Sequence, residues 1–179
     1  VYYWVDGYRL INRANLVIEG VTTAAEAGII TQAVADDYIG QAKFLRAITH
    51  FELLNFFARP YNFSAGASHP GVPYREVGID TQAEIDSEIV LGRNTVAEVY
   101  EKVLQDLDDA ESLITNTSLT KASVNAAIAF KTRVYLHMRD WDGVIAEGNK
   151  LIGEYALEDS PNGPFLDSYG NSESIFSLT

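Results

Sequence analysis

The segment from Gln41 to Pro60 constrains the fold more than any other part of the chain. Its apolar residues recur at the three- and four-residue spacing of an amphipathic helix; they are Ala47, Phe51, Leu54 and Ala58, flanked by Phe44, Ile48 and Phe57. Pro60 lacks a backbone donor and disfavours helical geometry at the residue before it. The segment is therefore predicted to be a long helix that ends before Pro60 and buries a wide apolar face.

Further segments show helical periodicity with recognisable ends. Helices are predicted from Tyr3 to Glu19 with Gly20 as the stop, from Thr31 to Arg59 with a bend at Gly40, from Thr95 through Ile114, from about Ser123 to Arg139, and from Trp141 to Ile152. A short turn with capping-box spacing at Thr23 and Glu26 is predicted between the first two helices. Another capping box, formed by Thr95 and Glu98, supports the third helix. The chain is therefore predicted to be all-α.

All five prolines lie outside the predicted helices. Three of them fall within residues 59–93, which predicts a long inserted loop, and two fall within residues 159–179, which predicts a second loop. The alternation from Ile175 to Leu178 is compatible with an edge strand. The last two helices form a hairpin of about 33 residues, close to the tetratricopeptide period. The predicted fold is thus a tetratricopeptide-like array of helical hairpins with a long inserted loop.

Composition excludes several classes of function. Acidic residues number 25 against 13 basic ones, and the net charge of −12 disfavours binding to nucleic-acid phosphates. The chain contains no cysteine, which excludes disulfides and thiolate metal ligands. No apolar run approaches the roughly 20 residues that cross a bilayer. A hydrophobic content of 47% is enough for a packed core.

Aromatic side chains in the long loop are the candidates for ligand binding. Tyr61, Phe63, His69 and Tyr74 lie there, and flat rings stack well on the C–H-rich faces of sugars. The alternative is that these rings pin the loop to the helices. Trp4 and Trp141 lie on helical stripes and are predicted to belong to the core.

Charged residues give no sign of a metal or catalytic centre. Most of the acidic residues of the third predicted helix fall opposite its apolar stripe, and the run is interpreted as a solvated face; its members are Glu98, Glu101, Asp106, Asp108, Asp109 and Glu111. Asp167, Asn171 and Glu173 could offer oxygens to calcium, but their spacing matches no known loop. Neither His50 nor His137 has a second histidine at ligand spacing. No metal, no cofactor and no catalytic residue is therefore predicted.

Two arginines are interpreted as structural. Arg46 and Arg133 each lie beside apolar residues of a predicted helix, where a guanidinium commonly pairs with an acid of a neighbouring helix. Glu52 and Asp106 are the candidate partners.

A series of sequence blocks resembles the SusD/RagB family of surface glycan-binding lipoproteins of Bacteroidetes. The blocks are Trp4, Tyr8, Ile11 and Asn15; Ala42-Lys-Phe-Leu-Arg-Ala47 with Phe51 and Leu54; Gly71-Val-Pro73; Arg93 to Tyr100 with Asp106, Leu107 and Ala110; Ala126-Ala127 with Arg133 to Leu136 and Asp140-Trp141; and Ser172 to Phe176. Six blocks in the family's order are specific together, although none is decisive alone. The chain departs from the family pattern at Gln41 and at Ala58-Arg59-Pro60.

The resemblance implies a single helical domain over residues 1–179, expected to be the N-terminal portion of a longer protein. It implies a non-catalytic protein at the outer-membrane surface that binds oligosaccharide or polysaccharide and delivers it to a SusC-like TonB-dependent transporter. Family members are held to the membrane by a lipidated N-terminal cysteine, a residue type that this chain lacks.

Two other functions remain open from the sequence. A helical-repeat protein–protein adaptor would present a concave groove and bind a peptide instead of a glycan. A glycan-processing enzyme would need two opposed carboxylates in a cleft.

Overall fold

The computed structural model describes residues 2–166 and 170–177. Within them, the structure contains seven α-helices and no strand: α1 (Tyr2–Glu26), α2 (Gln32–Phe57), α3 (Gln82–Glu88), α4 (Val96–Leu113), α5 (Val124–Met138), α6 (Trp141–Asn149) and α7 (Gly163–Leu166). Two single turns of 3-10 helix, Tyr61–Phe63 and Ala65–Ala67, follow α2. The predicted all-α fold is confirmed.

Side-chain caps fix where the main helices begin. Thr31, Thr95, Ser123 and Asp140 each accept a hydrogen bond from a backbone N–H in the first turn of the helix that follows. Thr95 and Glu98 form the complete capping box that the sequence predicts. Each cap satisfies an amide that would otherwise have no partner.

The long helices pack in chain order. Helix α2 lies between α1 and α4, α4 packs on α5, and α5 pairs with α6. The core lies mainly between α2, α4 and α5, with Phe44, Phe51, Val99, Val103 and Leu107 fully buried. This arrangement of antiparallel neighbours is the predicted tetratricopeptide-like array.

Helix α1 is longer than the sequence predicts. It continues through Gly20 and the expected turn at Thr23, and ends at Glu26. Gly28 then adopts a positive φ of 70°, the conformation that commonly follows a helix. Glycine disfavours a helix interior by only about 1 kcal/mol, so the tertiary packing of α1 outweighs it at Gly20.

Helix α2 continues unbroken through Gly40, where a bend was predicted. A Cβ at this position would lie 2.7 Å from Cγ1 of Ile114 and 3.0 Å from Cβ of Leu113. Gly40 therefore allows the end of α4 to approach α2 closely, and it does not mark a bend.

The prediction that Trp141 belongs to the core is wrong, because it is the first residue of α6 and 58% of its surface is exposed. Trp4 does pack against the core and is partly buried. Helix α6 ends at Asn149, before the predicted Ile152, and gives way to turns.

The two connections contain more helix than expected. Helix α3 lies inside the 59–93 connection and begins with a capping box of Thr81 and Glu84. Helix α7 lies inside the 159–179 connection. Residues 175–177 form no strand, and the N–H of Ser177 donates to the carbonyl of Leu119 at 3.0 Å. Leu178 and Asp167 lie outside the described residues.

Candidate functional site

The loop after α2 is held against the start of α4. The N–H of Gly71 donates to the carbonyl of Asn94 at 2.7 Å, and the N–H of Val96 donates to that of His69 at 2.9 Å. A Cβ at Gly71 would lie 3.1 Å from the carbonyl oxygens of Asn94 and Thr95, so glycine permits this close approach. The long connection is therefore fixed where it passes the end of α2.

An open groove of about 650 Å³ lies between the end of α2 and this loop. We call it the loop groove; its lining residues are Phe56, Phe57, Ala58, Arg59, Phe63, His69, Pro70 and Arg93. Phe56 and Phe63 are 66% and 60% exposed, and Phe57 is 39% exposed. Three accessible aromatic rings beside two arginines form a surface suited to stacking and hydrogen bonding.

Phe63 is the most accessible of the sequence-predicted aromatics. Cζ of Arg59 lies 5.3 Å from the centroid of its ring. The ring of His69 lies 5.2 Å away at an interplanar angle of 72°. Phe63 is therefore oriented by two neighbours while most of its surface remains in solvent.

His69 braces the loop. Its Nε2 lies 3.1 Å from the carbonyl of Arg59, to which it donates, and its Nδ1 lies 2.7 Å from the hydroxyl of Ser64. Both ring nitrogens are thus engaged within the loop.

Tyr61 lies in a neighbouring cleft of about 250 Å³. Its ring packs edge-on against Tyr100 at 4.8 Å. The cleft and the loop groove share Ala58 and Arg59, so Tyr61 and Phe63 flank the same piece of backbone.

Tyr74 lies away from the loop groove, in the core. It is 6% exposed, and its ring stacks on His50 with centroids 3.8 Å apart. Its hydroxyl donates to Oδ2 of Asp106 at 2.6 Å. Burial raises the pKa of this hydroxyl well above its usual range, and the charge of Asp106 acts in the same direction. The structure thus assigns Tyr74 to packing and not to an accessible surface.

Asp106 is buried, so the interpretation of the acidic run as a solvated face does not hold at this residue, whereas its predicted pairing with an arginine does. Nε and Nη2 of Arg46 each donate to one of its carboxylate oxygens at 2.7 Å. Nη1 of the same arginine donates to Asn15 at 2.8 Å. Two parallel hydrogen bonds are the geometry in which guanidinium and carboxylate match best. Arg46 therefore joins α1, α2 and α4, as its interpretation as a structural residue predicts.

The second predicted pair also forms, at the surface. Nη2 of Arg133 lies 3.1 Å from Oε1 of Glu52. The Arg133 side chain is half exposed, so this pair is solvated, whereas the pair of Arg46 with Asp106 is buried.

His50 is fully buried beneath Tyr74. Its Nδ1 donates to the carbonyl of Arg46 at 2.9 Å, and its Nε2 accepts from the N–H of Arg75 at 3.1 Å. Burial lowers the pKa of His50 to about 3, with the charges of Arg46 and Arg75 acting in the same direction. The ring is therefore neutral and links α2 to the loop.

Sequence reasoning missed Phe56 and misplaced Phe57. Phe57 was assigned to the buried stripe of α2, and it does pack edge-on against Trp4 at 4.9 Å. The helix ends at Phe57, however, so no further turn covers the ring. The signal in the sequence was the Phe56-Phe57 pair at the last turn of the helix, just before Pro60, where no following turn can cover both rings.

The structure places no metal site in its described portions: no three histidine or carboxylate side chains there are arranged to hold an ion. Likewise, none of the described helices is long and apolar enough to cross a membrane.

The sequence model of a SusD-like family matches residues 1–136, and this family is described as starch-binding and associating with the outer membrane. The match covers most of the chain. The chain belongs to the SusD-like family. The resemblance inferred from the sequence blocks is confirmed.

Solved structures agree in fold. A SusD superfamily protein from Bacteroides fragilis is 30% identical, with a TM-score of 0.84, over 98% of this chain and 40% of its own. One from Bacteroides thetaiotaomicron VPI-5482 is 28% identical, with a TM-score of 0.81, over 98% and 38%. A laminarin-binding SusD-like protein shares the fold at 22% identity, with a TM-score of 0.74, over 97% and 36%.

The chain thus spans about two fifths of the length of the superfamily proteins from the two Bacteroides species. Among curated proteins, none matches this sequence.

Proposed function

We propose that this SusD-like chain is the helical part of a non-catalytic, surface-exposed glycan-binding protein. In this role it captures oligosaccharide at the outer membrane and delivers it to a SusC-like TonB-dependent transporter. The family description and the laminarin-binding relative support the glycan. The transporter and the surface location come from the family resemblance.

The loop groove is the observation that supports glycan binding by this chain itself. It presents the accessible rings of Phe56 and Phe63 at the end of a rigid helix, beside loop residues held by backbone hydrogen bonds. Sugar rings stack on such faces, and a pre-ordered surface loses little entropy on binding. Phe63 and His69 are the site residues proposed for this groove, and Tyr61 is proposed for the adjoining cleft. Tyr74, which the sequence also suggested, contributes to the site by supporting the loop.

A glycan array probed with the chain tests the proposal, with Phe63→Ala as the variant. Phe165→Ala is the matched control, because Phe165 is 85% exposed and does not line the groove. We expect the Phe63 variant to lose signal on the bound glycans and the Phe165 variant to keep it. Binding to peptides but to no glycan would instead favour the adaptor.

Two further measurements test the rest of the proposal. Labelled oligosaccharide incubated with the chain should be recovered intact, whereas turnover lost on removal of one carboxylate would identify an enzyme. The complete protein should co-purify with a TonB-dependent transporter from solubilised outer membranes. Separate elution of the two proteins would contradict the delivery role.

A further inference from the structure

The charge of the loop groove is opposite to that of the chain. The chain carries 25 acidic residues and 13 basic ones, yet the groove is lined by Arg59 and Arg93 and by no aspartate or glutamate. By contrast, the polar pocket between α2 and α4 is lined by five carboxylates and three basic side chains. In so acidic a chain, the loop groove is locally cationic.

Arg59 is available to a ligand. Its guanidinium makes no hydrogen bond and no ion pair with any residue that the structure describes, and its Cζ lies 5.3 Å from the centroid of the Phe63 ring. The side chain is exposed at the end of α2. A guanidinium stacked near an aromatic ring is held in position while its N–H groups remain free to donate.

Arg93 is held more firmly. Its Nε donates to the carbonyl of Gly71, and its Nη2 donates to that of Phe57 at 2.9 Å. These bonds tie the loop to the end of α2 and leave Nη1 with no partner in the described ranges. Arg93 thus adds a fixed positive charge to the groove, and Arg59 adds an adaptable one.

We propose that the loop groove binds an anionic sugar residue, with Arg59 donating to its carboxylate or sulfate group while Phe63 packs against the sugar ring. This inference rests on the proposed function and specifies the class of glycan. Uronic acids and sulfated sugars share the required chemistry. The carboxylate of the first and the sulfate of the second each present two or more anionic oxygens that can accept the paired N–H groups of a guanidinium.

The net charge of −12 does not oppose this binding for a short ligand. At physiological ionic strength, exposed charges more than about 8 Å apart are largely screened, so the two arginines dominate the field at a sugar lying in the groove. A long polyanion would extend over the acidic remainder of the surface. Short anionic oligosaccharides are therefore the expected ligands.

Calorimetric titration with matched oligosaccharides tests the inference. The probes are a tetragalacturonate, its carboxyl-reduced neutral counterpart, and a sulfated galactan oligosaccharide of equal length. We expect at least one anionic probe to bind about tenfold or more tighter than the neutral one, as hydrogen bonds to charged groups predict. Whichever anionic probe binds tighter identifies the group as carboxylate or sulfate.

Variants of Arg59 locate the effect. Arg59→Gln should reduce the affinity for the preferred anionic probe about tenfold and leave the neutral probe unaffected. Arg59→Lys should retain part of the affinity, since it keeps the charge but loses the planar fork. Arg13→Gln is the matched control, because Arg13 is exposed on α1 and does not line the groove.

Equal affinity for the neutral and anionic probes, or equal loss in the Arg59 and Arg13 variants, would overturn the inference. If the inference fails in this way but a neutral glycan still binds and its affinity falls in the Phe63→Ala variant, the proposed function stands. Absence of binding to every glycan would overturn both.

Discussion

At the scale of single residues, Asp106 is the centre of a buried hydrogen-bond network that connects several parts of the chain. It accepts hydrogen bonds from Arg46 on α2 and from Tyr74 in the long loop, and Arg46 in turn contacts Asn15 on α1. A buried ion pair contributes little when both partners are present, but loss of one partner leaves a buried charge unpaired. This pair therefore makes the protein dependent on both of its members.

Arg46→Ala is expected to destabilise the protein by roughly 3–5 kcal/mol, because it removes both guanidinium hydrogen bonds to the buried Asp106. The remaining cation, Lys43, is more distant, with its Nζ 3.8 Å from Oδ1 of Asp106. Denaturant unfolding measures the change. Arg133→Ala is the control, since its pair with Glu52 is solvated and should be worth at most about 1 kcal/mol. Glycan affinity of the folded Arg46 variant should be unchanged. A loss of affinity at unaltered stability would contradict the structural role.

His50 makes stability depend on pH. Its pKa is about 3 in the folded protein and near the ordinary 6.5 when unfolded, so the unfolded chain binds the extra proton between these values. Arg46, Arg75 and Lys102 add to the cost of charging the ring. The contribution of His50 is complete above about pH 6.5 and declines as the pH falls, by at most about 1.4 kcal/mol per pH unit.

His50→Gln cannot take up this proton, and its amide can still donate and accept. Its unfolding free energy should therefore fall less steeply than that of the unmodified protein between about pH 6 and about pH 4. Urea titrations at several pH values give the two slopes. Parallel slopes would show that His50 does not carry the effect.

At the scale of elements, α1 carries a polar stripe that fastens the long loop. Tyr8, Asn12, Asn15 and Glu19 lie on one face at helical spacing. The Tyr8 hydroxyl donates to the carbonyl of Pro73 at 2.7 Å, and Oε1 of Glu19 accepts from the N–H of Gly78 at 2.7 Å. These side chains of α1 thus supply hydrogen-bond partners to backbone groups of the loop, which has no regular backbone pairing of its own.

Asn12 makes the most complete of these ties. Its Nδ2 donates to the carbonyl of Ile79 at 3.0 Å, and its Oδ1 accepts from the N–H of the same residue at 2.7 Å. Asn12→Ala should accelerate hydrogen exchange at the Ile79 amide and cost about 1–3 kcal/mol. The neighbouring exposed residue provides the control, since Arg13→Ala should alter neither. Unchanged exchange in the Asn12 variant would refute the tie.

Two helical glycines form a natural pair of tests. Gly40→Ala should destabilise the protein by about 1–3 kcal/mol, because the new methyl group would lie 2.7 Å from Ile114. Gly20→Ala should stabilise it by roughly 0.5–1 kcal/mol, because no atom lies within 4 Å and alanine favours the helix. Thermal melting of both variants checks the opposite signs. Changes of the same sign would contradict the close approach of α2 and α4.

At the scale of the whole molecule, the sequence predicts the helices better than the loops. Periodic stripes and capping residues locate the main helices because both signals are local. Asp106 differs from the other acidic residues of α4 because it lies three residues after Val103, on the inward face. Its charge is tolerated there through Arg46, which is 60 residues away in the sequence. The loop groove was only partly predictable, since its shape depends on the ties of Gly71 and Arg93 to remote backbone.

The whole molecule is a stiff stack of helical hairpins that carries one aromatic, cationic groove at the end of α2. The helices supply rigidity through the core around Phe51 and the Arg46–Asp106 pair. The loop supplies the exposed rings, and its attachment to α1 and α4 keeps them in place. Glycan capture is therefore expected without rearrangement of the helices.

The most direct test of this claim is an NMR titration of the isotope-labelled chain with a glycan selected on the array. Chemical shifts of backbone amides should change at residues 56–59, 61–63 and 93, around the loop groove and its adjoining cleft, and remain constant along α5 and α6. Shifts confined to the polar pocket between α2 and α4, or the absence of any change at saturating glycan, would contradict the claim.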